Sequence, residues 1–406
     1  MTGRSHPDAA PPARPGATGE GGLRIAIVAH FAYRALAGGA TGHIGGVENQ
    51  TSMMARWLAA RGHTVTLIVW DEGQQDGIVV EGVHVLKVCR QDAGARVLRF
   101  FHPRWTSLVA ALARADADVY YQNCGEYVTG QVALWCRRHR RAFVYSAASD
   151  ADCNAELPLM PERRVRALYR TGVRLADAIV VQTPAQQRMM RDGFARDATV
   201  IPMPCATPRS TGVVARDPAL VLWVGRICRV KRPDRLLEIA RACPELQFLI
   251  VGPHDEDASY KEEIEAAAAG VPNVRLHGPA NRAELDDLYQ RALCLCCTSD
   301  HEGFPNTFLE AWSHGLPVVS SWDPASIIAD NGLGLIGRTA DELAASLAAL
   351  RNEAGRWDTL SAAARAYFDE NHAIERAMPR FEWIFTQQIS ARRPLIDRPI
   401  TAGVAR

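Results

Sequence analysis

The chain has 406 residues, enough for two well-buried domains. Its 46 Lys and Arg against 45 Asp and Glu leave a formal net charge of +1, so no global field draws it to nucleic acid and any basic surface is local. No run approaches the ~20 apolar residues of a membrane span, and the first 22 residues lack the apolar core of a secretion signal, so a soluble or peripheral protein is expected.

Residues 1–21, rich in Pro, Ala and Gly, have almost nothing to bury and are expected to be disordered. Order is expected from Leu23, where LRIAIVAH opens a series of apolar runs: HTVTLIVW, DVYYQN, AFVYSAAS, AIVVQT and TVIPMP. Helical stretches such as VENQTSMMARWLAARG and HPRWTSLVAALARA lie between them, and this alternation predicts a parallel sheet covered on both faces. Gly45 and Gly46 precede the first long helix, expected from about Val47. Without side chains their amides can approach a phosphate or a sugar, although a plain turn uses the same residues. Residues 31–46 read as a glycine-rich lid over a cleft. Beyond the third and fourth runs, Tyr121, Gln122, Asn123, Glu126, Ser146, Ser149, Asp150 and Asp152 are polar candidates for an acceptor face. Ordinary loop groups and helix caps have the same composition. The segments RFFHPRWTSL, CRRHRRA and ERRVRALYRTGVR mix arginine with Phe101, Trp105 and Tyr169, which suits anionic lipid headgroups and suits solvated helix faces equally.

Residues 203–218, MPCATPRSTGVVARDP, read as a linker, after which ALVLWVGR, LQFLIVGP, VRLHGP, LCLCCTS and PVVSS repeat the pattern of strand and helix. The division expected is a first domain over 22–206, a second over 207–371 and a flexible tail over 391–406. Ten cysteines show no paired zinc-ligand spacing, so reduced, mostly buried thiols and a cytoplasmic setting are expected. Gly225 to Lys231 follow a strand, and Pro233 suits the first turn of the next helix. Arg226 offers a planar fork of donors to a diphosphate and Lys231 a compact charge, though with Arg229 and Arg232 the loop also reads as a solvated basic turn. The most informative segment is SDHEGFPNTFLEAWSHGLPVVS, Ser299 to Ser320. Phe304 and Pro305 close a loop and Asn306 is the predicted N-cap, so free amides and the helix dipole would face a phosphate. Glu310, about one turn in, can accept two hydrogen bonds from a vicinal diol such as a ribose, and Glu302 is free to address another polyol. His301 lies beside it. A sugar nucleotide fits this set. No metal site is expected: Asp-x-Asp at 116–118 closes a helix, and that at 150–152 is read as lacking a strand-end setting.

Glu302 and Glu310, with seven residues between them in EGFPNTFLEAW, resemble the E-x7-E signature of retaining glycosyltransferases of family 4. Gly225, Arg226, Lys231, Arg232 and Pro233 resemble that family's G-R-x4-K segment, and HIGGVENQTSMMARWLAARGHTVTLIV its glycine loop, first helix and second strand. The resemblance runs from about Leu23 to Phe385. It implies the α/β GT-B fold, two doubly wound Rossmann-like domains facing across a cleft, with the last helix (372–390) crossing back to complete the first domain. It also implies a nucleotide-diphosphate-sugar donor held by Gly225, Gly303, Phe304, Pro305, Asn306, Thr307 and Glu310, with Gly45 and Gly46 closing from the first domain. Arg226 and Lys231 would stabilise the departing nucleoside diphosphate, and Glu302 would hold the donor sugar. No cofactor and no metal are implied. The acceptor would be a saccharide or lipid-linked saccharide in polysaccharide or glycolipid synthesis, reached from the cytoplasm or the inner face of the membrane. One departure stands out. Many family members carry a histidine after the fourth strand, where this chain reads FVYSAASDADCN. Ser146, Ser149 and Asp150, with Asn123 and Glu126, are the acceptor-side candidates in its place. A sugar-nucleotide epimerase of the same fold, or a non-catalytic sugar-nucleotide-binding partner of another transferase, are the alternative readings.

Overall fold

The computed structural model describes residues 22–38, 45–208, 215–255 and 257–392. The expected tail 1–21, residues 39–44 of the expected lid and residues 393–406 lie outside the described residues. Residues 391 and 392, assigned above to the tail, instead close the final helix, Ile374–Arg392.

The first sheet contains β1 (Arg24–Val28), β2 (Thr64–Val69), β3 (Val79–Val80), β4 (Val83–Lys87), β5 (Val119–Asn123), β6 (Ala142–Ser146), β7 (Ala178–Val181) and β8 (Thr199–Val200). Its order is β3-β4-β2-β1-β5-β6-β7-β8. The central strands are buried on both faces, which is why they read as continuous apolar runs rather than alternating ones. The pair β3 and β4 was not anticipated. It is an antiparallel hairpin turned by Glu81 and Gly82, both at positive φ (48° and 81°), and Val79 at its edge is exposed. The run TVIPMP yields only the two residues of β8, because Pro202 and Pro204 have no amide to donate to a ladder. The helix expected from His102 starts at Thr106; Phe100–Trp105 form a wide turn in which His102, before Pro103, is extended.

The second sheet contains β9 (Leu220–Val224), β10 (Gln247–Val251), β11 (Val274–Gly278), β12 (Cys294–Cys297), β13 (Val318–Ser320) and β14 (Gly334–Ile336), in the order β11-β10-β9-β12-β13-β14. Its ladders are parallel. Apart from the β3 and β4 hairpin at the edge of the first sheet, the strand order reverses once in each sheet, between β1 and β5 and between β9 and β12. Open parallel sheets bind ligands at the carboxyl ends of strands flanking such a reversal.

The Ile374–Arg392 helix packs on the first sheet. Met378, Phe381 and Phe385 are buried against Ile25, Ile27 and Tyr121. The chain thus passes between the sheets twice, and the two passages are paired. Cys205 N donates to His372 O (2.8 Å), Ile374 N donates to Cys205 O (3.0 Å), and His372 Nδ1 donates to Met203 O (2.8 Å). Burial pushes the His372 imidazole down to about 4, so it is neutral in this strap.

Candidate active site

At the carboxyl edge of the second sheet, the chain leaving β9 passes the chain leaving β10 at backbone contact. Gly225 N donates to Val251 O (3.0 Å), and Gly252 lies at φ +142°, where a Cβ would meet Gly225 O at 2.0 Å. Only glycine fits that crossing. A short turn, Arg229–Lys231, then leads through Arg232, at φ 50°, into the Pro233–Ala242 helix, with Pro233 in its first turn. Thr298 at the end of β12 fixes this turn: its Oγ1 donates to Lys231 O (2.9 Å) and accepts from Trp223 Nε1 (3.0 Å). The Lys231 ammonium is paired with the Glu302 carboxylate, which also accepts from Ser299 Oγ at 2.6 Å. Lys231, Glu302, Ser299, Thr307 and Trp223 line one small recess between β9 and β12. Arg226 does not join them. Its guanidinium faces Asp255 at 3.6 Å, in a neighbouring open recess with Arg229 and Tyr260, so the expected pairing of Arg226 with Lys231 around one diphosphate is absent from this arrangement.

The E-x7-E segment forms a loop and an eight-residue helix, Asn306–Ser313. The N-cap is Pro305, not Asn306 as predicted, and no side chain caps the helix. Pro305 already has the extended backbone of a cap, and Asn306, as first helical residue, turns its amide away toward the other domain. Phe304 packs on His372 and Trp312, tying the loop to the interdomain strap, while His301 meets the edge of Trp322 rather than Glu302. Glu310 has both oxygens engaged: Arg282 Nη1 donates to Oε1 (3.0 Å) and Tyr289 OH to Oε2 (2.9 Å). The sequence reading missed Ser299, Arg282 and Tyr289. Arg282, Asp286 and Tyr289 were findable, since they share one face of the Arg282–Arg291 helix at positions i, i+4 and i+7.

Among the described residues, the first domain comes against this loop at Gly46 and at Ser149. Gly46 opens the Gly46–Ala60 helix, with Gly45 as its cap, and a Cβ on Gly46 would lie 2.2 Å from Asn306 Nδ2. A Cβ on Gly303 would lie 3.7 Å from Ser149 Cβ. Gly46 and Ser149 are therefore first-domain residues set against the 303–306 loop. The other candidates are placed less directly. Tyr121 is a core residue, its ring against Phe381 and Phe385, and does not face the cleft. Ser146 is buried at the end of β6, and Asn123 is buried with Nδ2 donating to Gln50 Oε1 (3.2 Å). Asp150 and Asp152 do follow a strand end, contrary to expectation, in the short Asp150–Cys153 helix capped by Ser149. Asp152 is buried and accepts from the amides of Ala148 (2.8 Å) and Ser149 (3.2 Å); Asp150 accepts from Gln186 Nε2 (3.0 Å). Glu126 caps the Tyr127–His139 helix, its amide donating to Thr129 Oγ1 (3.3 Å). Burial, with Glu48 and Asp152 nearby, pushes the Glu126 carboxyl up to about 7. All ten cysteines are free, six of them buried. Among the described residues no helix is long and apolar enough to cross a membrane.

Two Rossmann-like domains, with a basic and acidic pair at the reversal of the second sheet and the Gly46 helix start of the first domain set against Asn306, have the architecture of the GT-B fold. Residues 209–366 match the model for glycosyl transferases group 1, and residues 45–206 match that for the glycosyl transferase 4-like domain. The chain belongs to the group 1 glycosyltransferases. Among its relatives is a D-inositol 3-phosphate glycosyltransferase of Kribbella flavida, 29% identical over 298 residues, covering 64% of this chain and 68% of that one. Another, from Geodermatophilus obscurus, is 28% identical over 372 residues, 80% of this chain and 81% of the relative. Anabaena HepE, crystallised with UDP and glucose, superposes with a TM-score of 0.69 at 16% identity, covering 90% of this chain and 99% of HepE. Sucrose-phosphate synthase of Thermosynechococcus elongatus gives 0.72 at 18% identity with the same coverage.

Proposed function

We propose that this glycosyltransferase is retaining and metal-independent, and moves a hexose or related sugar from a nucleotide-diphosphate donor to a saccharide or lipid-linked acceptor. The observation that carries the reading is the Lys231–Glu302 pair at the β9/β12 reversal, with Glu310 on the helix that follows. In this reading the donor phosphates replace Glu302 as the partner of Lys231, which then faces the charge that develops on the leaving oxygen. Arg226 swings from Asp255 to join it. Glu302, released from the ion pair but still held by Ser299, accepts from the donor sugar, and Glu310 accepts from the ribose. The acceptor hydroxyl attacks from the face the diphosphate leaves, and a phosphate oxygen takes its proton. Holding both substrates between Gly46, Ser149 and the 303–306 loop supplies much of the rate. The crystallised HepE complex with UDP and glucose makes a uridine donor the first to test. Incubating the protein with uridine and guanosine diphosphate sugars and a saccharide panel, in a chelator, should give a product with the donor's anomeric configuration by NMR. An inverted product, or turnover only with added metal, would refute the reading.

For the lipid-linked acceptor we draw on one surface. Val97, Leu98, Phe101 and Leu159 are 88%, 61%, 60% and 75% exposed, beside exposed Arg163 and Arg164, and Arg164 lies over the Phe100 ring at 5.0 Å. Apolar tips framed by arginines suit the inner face of an anionic bilayer. Vesicles of phosphatidylglycerol should retain the protein at low salt and release the Leu98→Glu, Phe101→Glu variant; no retention of the wild type would exclude this docking.

A further inference from the structure

Glu310 belongs to a closed network. Tyr289, 1% exposed, donates its hydroxyl to Oε2, and Arg282 Nη1 donates to Oε1. Arg282 is in turn held through Nη2 by Asp286 Oδ1 at 2.9 Å, and Asp286 accepts from His314 Nε2 at 3.2 Å. The His314 ring lies parallel to Tyr289, 18° between planes with centroids 5.7 Å apart, so the network returns to its start. Burial holds His314 below its usual range, hence neutral, and its Nε2–H is the donor to Asp286. A glutamate has three rotatable bonds and is otherwise free to present its oxygens in several directions. Here one lone pair on each oxygen is committed to a fixed donor. A carboxylate has about four acceptor directions, so one on each oxygen is left for two adjacent hydroxyls.

We propose that Tyr289 and Arg282 are positioning residues that preset the Glu310 carboxylate for the vicinal diol of the donor ribose, so that discrimination between ribose and deoxyribose rests on them. The proposal depends on the ribose role given to Glu310 above. Neither residue touches the reacting atoms; each acts through Glu310. A thermodynamic cycle tests it. Dissociation constants for uridine diphosphate and 2′-deoxyuridine diphosphate, and for the guanosine pair, are measured calorimetrically on wild type, Tyr289→Phe and Arg282→Gln. Hydrogen bonds to a charged group give the expected scale: the wild type binds the ribose form roughly tenfold or more tightly than the deoxy form. In Tyr289→Phe that ratio should fall to about twofold, through loss of ribose-form affinity alone, since deoxy-form binding no longer uses the full preset geometry. Arg282→Gln, at a half-exposed position, should lower the ratio in the same direction and serves if Tyr289→Phe fails to fold. A variant that folds, as judged by far-ultraviolet circular dichroism, and keeps the wild-type ratio overturns the positioning role. A wild type that binds both forms equally, or neither pair, overturns instead the ribose role of Glu310 on which the proposal rests.

Discussion

Replacing Lys231 by Ala removes one partner of the pair at the β9/β12 reversal and leaves the Glu302 carboxylate with Ser299 alone. Side chains of Lys231 and Glu302 are 26% and 12% exposed, so the pair lies between the exposed and buried extremes. Exposed pairs contribute about 0–1 kcal/mol, and breaking a buried one costs about 3–5 kcal/mol. With Ser299 still donating, a loss of ~1–2 kcal/mol is expected, a fall of a few degrees in the melting of the second domain. Turnover should suffer more. Removing one donor aimed at developing charge costs about 2.7–4 kcal/mol, or ~10²–10³ in kcat, with a smaller change in donor affinity. Adding Glu302→Gln to Lys231→Ala leaves no unpaired charge, so it should recover most of the stability and none of the turnover. Urea melts and steady-state kinetics on the two single variants and the double variant separate these effects. Wild-type kcat in Lys231→Ala would refute the leaving-group role, and a double variant no more stable than Lys231→Ala would refute the ion pair's part in holding the loop.

Glu310→Ala should weaken binding of the nucleoside diphosphate at least tenfold while leaving the acceptor KM unchanged, measured by calorimetry and initial rates. Gly252→Ala places a methyl against Gly225 O in a left-handed backbone region and should displace the Gly225–Lys231 loop, seen as a loss of donor binding together with a lowered melting temperature. For Glu126 the folded pKa of about 7 lies above the ordinary glutamate value of 4.5, so the folded state holds the extra proton between them. Its contribution to stability is full below about 4.5 and declines as pH rises to about 7. Stability curves for Glu126→Gln and wild type should therefore diverge across that window, the variant lacking the decline; parallel curves would contradict it. Gly46→Ala presses on Asn306 across the cleft, and Asn306→Gly in the same chain should relieve the resulting loss of activity, read as non-additive kcat/KM values.

The GT-B fold was legible because the strands that build each sheet centre, β1, β2, β9 and β10, are uninterrupted apolar runs ending at glycine or polar loops. What escaped was local. The β3 and β4 hairpin is short and half-exposed, so its burial signal is weak, and the prolines of TVIPMP were outvoted by their apolar neighbours. At the candidate site, Lys231, Glu302 and Glu310 stand in motifs legible in the sequence; Arg282 and Tyr289 share a helix face that the spacing also shows, but no local pattern links that face to Glu310, 28 and 21 positions away. Tyr121 was misplaced because strand-end residues alternate faces, and a one-residue error in the strand end exchanges cleft for core. Of the residues read in place of the histidine expected after β6, Ser149 is the one that stands against Gly303.

The two passages between the domains, at Met203–Cys205 and His372–Ile374, are laced by three hydrogen bonds into one ribbon. A single flexible tether would let the domains swivel and drift. Two passages bonded side by side cannot twist or slide past one another without breaking those bonds, and because Phe304 packs on His372 the ribbon also ties the 303–306 loop, against which Gly46 and Ser149 stand, to the junction between the domains.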